Sequence, residues 1–356
     1  MNTAVIGQGP RVLVSRSSLK HNIAALRDRL SPRTLMAPIV KANAYGHGQD
    51  LAVAALRDHV DLFTVAEPSD ALALSSIVPG RVLCVGSAYG EELAELISAG
   101  VRVAVTDQRA LPQLGPDARV HLVVDTGLHR LGVLPAFATE LAEEIRSTGA
   151  TLEGAFCHVA GADRGDWAGV EAEVRALREL RLGTLLRHSG GSSLVISRPD
   201  LVGDLARPGI AVFGHHPRRD QKDLVSLSPA LTLVAPVVEL RLIAKGDQVG
   251  YGGEQLERDT VIATLPIGVC HGINPRWAAN GGSVSIRNRR CALLTPPMLD
   301  YTLVDVTDVP GAAFGDIATL LGDDGPSVNQ TAERLGLSAE HLLVALQASV
   351  PRELVA

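Results

Sequence analysis

The stretch Leu35-Met36-Ala37-Pro38-Ile39-Val40-Lys41-Ala42-Asn43-Ala44-Tyr45-Gly46-His47-Gly48 decides the reading of the chain. An apolar run stops at one lysine, and a Tyr-Gly-His-Gly turn follows at once. A run without polar alternation suits a strand buried on both faces, as in a parallel sheet. The carboxyl ends of such strands are where open α/β sheets and (β/α)₈ barrels place their chemistry. Burial of an ammonium disfavours its charged form and favours the free amine that Schiff-base chemistry needs.

Outward from this stretch the pattern repeats. Ser17 is expected to cap a helix in which Leu19, Ile23, Leu26 and Leu30 share a face. Strand-like runs recur at 34–40, 61–66, 81–86, 101–107, 119–126, 151–158, 185–188 and 208–213, with helix-like segments such as 91–99, 135–147 and 167–180 between them. Eight strands alternating with helices predict an N-terminal (β/α)₈ TIM-like barrel, and periodicity alone leaves an open doubly wound sheet as an alternative. After about Ser226, Val, Leu, Thr and Gly dominate in short runs separated by turns, which predicts a C-terminal β-rich domain ending in small helices. The expected domains are 1–226 and 227–356, with the first strand pairing with the second domain.

The totals narrow the class. A chain of 356 residues suggests a large barrel or two domains, and 46% hydrophobic against 20% charged residues describes a globular protein with ample core. Only 3% is aromatic, so aliphatic side chains must fill that core. A net charge of −6 gives no basic footprint for nucleic acid. Residues 1–8 show neither a basic nor an apolar signal region, and no apolar run is long enough to span a membrane, so the cytoplasm is the expected location. Cys84, Cys157, Cys270 and Cys291 have no metal-like spacing and are expected to be buried free thiols.

Lys41-Ala42-Asn43-Ala44-Tyr45-Gly46-His47-Gly48 resembles the signature around the cofactor lysine of the alanine racemase family, and the resemblance continues along nearly the whole chain. It implies a pyridoxal 5′-phosphate-dependent amino-acid racemase with a barrel and a β-domain, acting on alanine or a different, larger amino acid as a homodimer with shared active sites. Lys41 then holds the cofactor and is one of two catalytic bases, and Tyr45 binds the phosphate. In Asp125-Thr126-Gly127-Leu128-His129-Arg130-Leu131-Gly132, Arg130 inherits contact with the cofactor's phenolic oxygen and the substrate carboxylate. In His158-Val159-Ala160-Gly161-Ala162-Asp163, His158 stacks on the pyridine ring and Asp163 lines the entrance. Ser192, in His188-Ser189-Gly190-Gly191-Ser192, binds phosphate, as do the amides of Gly209 and Ile210 in Arg207-Pro208-Gly209-Ile210. Arg207 faces the pyridine nitrogen and keeps it unprotonated, which favours plain proton exchange at Cα over side reactions. Tyr251, in Val249-Gly250-Tyr251-Gly252, is the second base, reaching the neighbouring subunit's site from the face opposite Lys41. Leu299 offers a backbone amide to the substrate carboxylate, followed by Asp300.

The departures from the family cluster around the substrate. Val123 stands where the family usually has a lysine, often carbamylated, that orients the carboxylate-binding arginine. Val269 and His271 replace a tyrosine and an aspartate, Pro296 an entrance arginine, and Glu340 a tyrosine that narrows the pocket. These changes imply a widened entrance and an altered or broader substrate. A decarboxylase or lyase on the same fold, and a cofactor-binding protein without turnover, are the alternatives.

Overall fold

A computed structural model describes residues 9–159 and 161–356; residues 1–8, read above for a signal region, lie outside it, as does Ala160. The chain divides into two compact units: Leu19–Ala44 with Ala52–Ser228, and the chain up to Ser18 with Tyr45–Leu51 and Pro229–Ala356. No helix among the described residues is long and apolar enough to cross a membrane.

The first of these units is the barrel. Phe63–Val65, Val82–Cys84, Arg102–Val105, Arg119–Val123, Thr151–Phe156 and Leu186–His188 form a parallel sheet in chain order. Leu35–Met36 pairs in parallel with Leu205–Ala206. Single parallel bridges, Ile39 to Thr64 and Gly190 to Ala206, join that pair to the two ends of the sheet. The strands therefore close on themselves and leave no edge. The expected eighth strand at 208–213 is corrected: the strand is Leu205–Ala206, and Ile210–Phe213 is a 3₁₀ turn. Pro208 still accepts from the Ile39 amide at 2.8 Å but, lacking an amide, cannot donate to a ladder.

Helices cover the barrel with apolar stripes. Pro135–Ser147 buries Ala138, Leu141, Ala142 and Ile145, and Trp167–Arg178 buries Val170, Val174 and Leu177, both at helical spacing. Each fully buried leucine or valine contributes roughly 1.5–3 kcal/mol. The helix Arg16–Arg27 buries Leu19, Ile23 and Leu26 as expected, but its cap is Ser15, whose hydroxyl accepts from the Ser18 amide at 3.1 Å; Ser17 lies inside the helix and Leu30 beyond it.

In the second unit a mixed sheet runs in the order Arg289–Ala292, Ser283–Ile286, Ile317–Leu321, Leu231–Pro236, Arg11–Ser15, Arg352–Val355. A smaller sheet joins Glu239–Ile243, Thr260–Leu265 and Thr302–Asp305. Arg11–Ser15 lies between Leu231–Pro236 (antiparallel) and Arg352–Val355 (parallel), so the two ends of the chain share one sheet. The short helices Val328–Arg334 and Ala339–Val344 match the expected terminal helices, and beyond them the chain adds the strand Arg352–Val355. Cys84, Cys157 and Cys291 are buried, whereas Cys270 is exposed, against expectation.

Candidate active site

Lys41 directly follows the barrel segment that bridges Ile39 to Thr64, and the Val40 amide donates to the Thr64 carbonyl at 2.9 Å. The backbone then enters a left-handed turn: Ala42, Asn43, Ala44 and Tyr45 have φ of 51°, 53°, 53° and 52°. Such residues cost roughly 1–2 kcal/mol each, because Cβ crowds the following carbonyl. Only Asn43 among them favours this region, so local preference does not announce a turn beginning so close to the lysine. Strain of this kind, held by the surrounding structure, marks a chain path that is imposed rather than chosen locally.

Arg207 is buried, 3% exposed, and has no carboxylate partner among the described residues. Its guanidinium donates to His188 Nδ1 and, at 3.0 Å, to the Cys157 carbonyl, and it lies 4.7 Å over the Phe156 ring. Because arginine can only donate, His188 Nδ1 must be bare and its proton must sit on Nε2. That proton points to His121 Nδ1, 2.8 Å away, which leaves His121 protonated on Nε2. Glu153 Oε2 lies 3.6 Å from that nitrogen, too far for a direct hydrogen bond but close enough to favour its orientation. Donors thus point from Arg207 through two neutral histidines toward Glu153, which also accepts from Arg102 and Arg119. Burial, then the charge of Arg207, holds His188 well below the usual imidazole range; burial also lowers His121, against the pull of Glu153. Burial alone would raise the Glu153 carboxyl, but its hydrogen-bonding and cationic neighbours outweigh that and hold it at about 2. Burial brings the Arg207 guanidinium down to about 10.

His158 stands close enough to Arg207, Arg130 and Lys41 to feel all three charges, which brings four of the expected residues to one end of the barrel. Its pKa is lowered first by desolvation among the packed atoms beneath it and then by those cations. The residue is exposed, so water tempers the first effect. Arg130 is exposed on the loop after the Arg119–Val123 strand. Asp125 holds that loop by accepting from the Gly127 and His129 amides at 3.2 and 2.9 Å. Gly132 closes it with φ +114°, where a Cβ would meet the Asp125 amide and Val123 carbonyl at 2.9 Å. Val123 is buried with Ala104, Phe156 and Val85, and Arg130 has no carboxylate partner among the described residues. Val85, Val123, Asp125, Arg130, His158 and Arg207 bound a cavity of about 40 Å³ at this end of the barrel.

Two of the expected phosphate residues, Ser192 and Gly209, meet, with one difference. Ser192 Oγ accepts from the Gly209 and Ala211 amides at 2.9 and 3.3 Å, so the Gly209 amide is already engaged. The Ser192 O–H keeps its own capacity to donate. A Cβ built on neighbouring Gly191 would meet open space. Asp163 is exposed and accepts from Ser193 Oγ at 2.5 Å beside this cradle. A buried cation without a counter-ion, a hydroxyl cradle and a strand-end lysine fit a phosphorylated pyridine aldehyde.

In the other unit Tyr251 is 94% exposed on a turn between short paired strands. Leu299 is 68% exposed. Its carbonyl accepts from the Cys270 amide at 3.0 Å, and the Met298 carbonyl accepts from Val269 at 2.8 Å. Gly268 allows these segments to touch: a Cβ there would stand 2.3 Å from the Met298 carbonyl. This contact places the replaced residues Val269 and His271 beside Asp300, whose carboxylate lies 3.2 Å from Cys270 Sγ. Cys270 Sγ is also 3.3 Å from His271 Nδ1, a cluster the sequence reading did not single out. Pro296 follows Thr295, whose hydroxyl folds back onto the Pro296 carbonyl. At the start of Ala339–Val344 the buried residue is Ala339, and Glu340 is half-buried.

Comparison with known proteins agrees with this arrangement. Residues 14–217 match the family profile of the alanine racemase N-terminal domain, and residues 230–354 that of the alanine racemase C-terminal domain. The alanine racemase of Deinococcus deserti is 34% identical over 328 residues, covering 90% of this chain and 91% of that protein. That of Chlorobaculum tepidum is 31% identical, covering 99% and 98%. The crystal structure of the biosynthetic alanine racemase from Pseudomonas aeruginosa matches with a TM-score of 0.86 at 30% identity, covering 98% of this chain and all of that one. Fold and site define an amino-acid racemase, an isomerase. The chain belongs to the alanine racemase family.

Proposed function

We propose that the protein is a pyridoxal 5′-phosphate-dependent racemase of alanine or a larger amino acid, working in the cytoplasm as a homodimer with shared sites. The observation that carries this reading is Arg207, a buried guanidinium without a carboxylate, tied through His188 and His121 toward Glu153. A carboxylic acid in that place could hand a proton to the ring nitrogen; a guanidinium donates a hydrogen bond and keeps its proton. When bound, the cofactor supplies the electron withdrawal that acidifies Cα. Lys41 anchors the cofactor, Tyr45 and the Ser192 hydroxyl hold its phosphate, and Arg130 with the Leu299 amide orients the substrate carboxylate. Lys41 Nζ removes or returns the proton on one face of Cα, and Tyr251 Oη of the neighbouring subunit does so on the other. The exposure of Tyr251 supports the shared site, since a catalytic phenol must be covered by something. Valine, histidine and proline at 269, 271 and 296 support a substrate larger than alanine. Four free cysteines fit a reducing compartment.

Deuterium exchange at Cα in D₂O, over a panel of L- and D-amino acids with added cofactor, tests the proposal. Exchange with inversion is expected for alanine and for at least one larger amino acid. Loss of carbon dioxide would reassign the protein as a decarboxylase. Cofactor bound through Lys41 without any exchange would leave a binding role.

A further inference from the structure

The strand-rich unit holds a second cavity, of about 320 Å³, lined among others by Trp277, Ser285, Arg290, Ser327, Gln330 and Arg334. Its size is at the lower end of ordinary small-molecule sites. Its electrostatics are unusual. Arg290 Nη2 and Arg334 Nη1 both donate to one oxygen, the Gly281 carbonyl, at 3.4 and 3.1 Å. Two like charges are thereby tethered to the same neutral acceptor, and neither has a carboxylate partner among the described residues. Arg290 is further fixed by donating from Nε to Ser283 Oγ at 2.8 Å. Asp324 lines the same cavity but pairs with neither arginine. Both arginines are exposed, so solvent screens their mutual repulsion, but their planar forks, held side by side, match the oxygens of carboxylate or phosphate. Ser285, Asn288, Ser327 and Gln330 add hydroxyl and amide groups around the same space, and Trp277 supplies a buried apolar wall.

We propose that this cavity binds a small metabolite through an oxyanion, carboxylate or phosphate, held by Arg290 and Arg334. Trp277, which lines the cavity, is its built-in reporter. The site is independent of the racemase reading and shares no residue with it.

The test uses cofactor-loaded protein, so that phosphate sites serving the cofactor are filled. Trp167 and Trp277 are the two tryptophans of the chain, and Trp167→Phe leaves Trp277 as the fluorophore. Inorganic phosphate and malonate are titrated separately at fixed ionic strength while fluorescence and the thermal midpoint are followed. A saturable fluorescence change with a rise in the midpoint is expected from at least one anion. A response to phosphate alone assigns a phosphate-bearing ligand, and a response to malonate alone a carboxylate. Arg334→Gln and Arg290→Gln should each weaken binding at least tenfold. Ser327→Glu, which adds a negative charge at the rim without removing an arginine, should do the same in a protein of unchanged fold. Absence of a saturable response to both anions, or an equal response in the three variants, would overturn the proposal.

Discussion

At the scale of single residues, the two proposed bases differ in how the fold treats them. Lys41 is pinned between a barrel strand and a strained turn, whereas Tyr251 stands on an exposed turn of the other unit. A hydroxyl with no hydrogen bond to its own chain among the described residues costs little stability when removed, so Tyr251→Phe should keep the native thermal midpoint. Its racemisation should fall by two orders of magnitude or more, the usual contribution of a positioned acid–base group. Solvent deuterium incorporation from each enantiomer, followed by NMR, checks this. An unchanged rate would remove Tyr251 from the reaction.

At the scale of elements, the barrel strands carry a row of polar groups through an aliphatic interior. His121 and His188 are fully buried and neutral. Since folding lowers their pKa, the unfolded chain takes up protons first, and stability must fall as pH drops below about 6.5. At pH 5 the loss is up to about 2 kcal/mol for each histidine that stays neutral. Glu153, held at about 2, contributes stability above the ordinary carboxylate range and loses it only on further acidification, so it does not mask the effect. Urea unfolding at pH 7.5 and pH 5 measures this, and equal midpoints would contradict it. The Arg130 loop gives a second expectation at this scale. Gly132→Ala adds a methyl into the Asp125 and Val123 backbone at a φ that L-residues rarely adopt. The loop must shift, so KM should rise about tenfold with kcat less affected, as expected when substrate binding rather than chemistry is disturbed. Steady-state kinetics with the best substrate decides it.

For the whole molecule, the proposed shared site makes a prediction that no single chain can satisfy. Lys41→Ala and Tyr251→Phe should each be inactive alone. Mixed after dissociation and reassociation, half of the dimers become hybrids in which one of the two sites has both bases, so about a quarter of native activity should return. Activity assays on the mixture, with sedimentation to confirm the dimer, check this. No recovery despite subunit exchange would place both bases in one chain.

Much of this was legible in the sequence, because the signals were local. The apolar run ending at Lys41, the eight strand-like runs and the change of texture near Ser226 depend on neighbouring residues, and covalent order preserves them. Each expected catalytic or binding residue was named by its place in a continuous motif. What tertiary structure alone decided were relations between distant segments. The eighth strand lies at Leu205–Ala206 because pairing with Leu35–Met36, not apolarity, defines it. The last strand forms because Arg11–Ser15 offers it an edge. The donor line from Arg207 to Glu153 joins three strands and the residue that follows a fourth, and the turn at Ala42–Tyr45 defies the local preference of its residues. The paired arginines of the second cavity lie 44 positions apart and meet only at the Gly281 carbonyl. Sequence fixes which groups are available; burial and the closing of the barrel decide which of them face one another, since only there does an unpartnered charge become costly enough to matter.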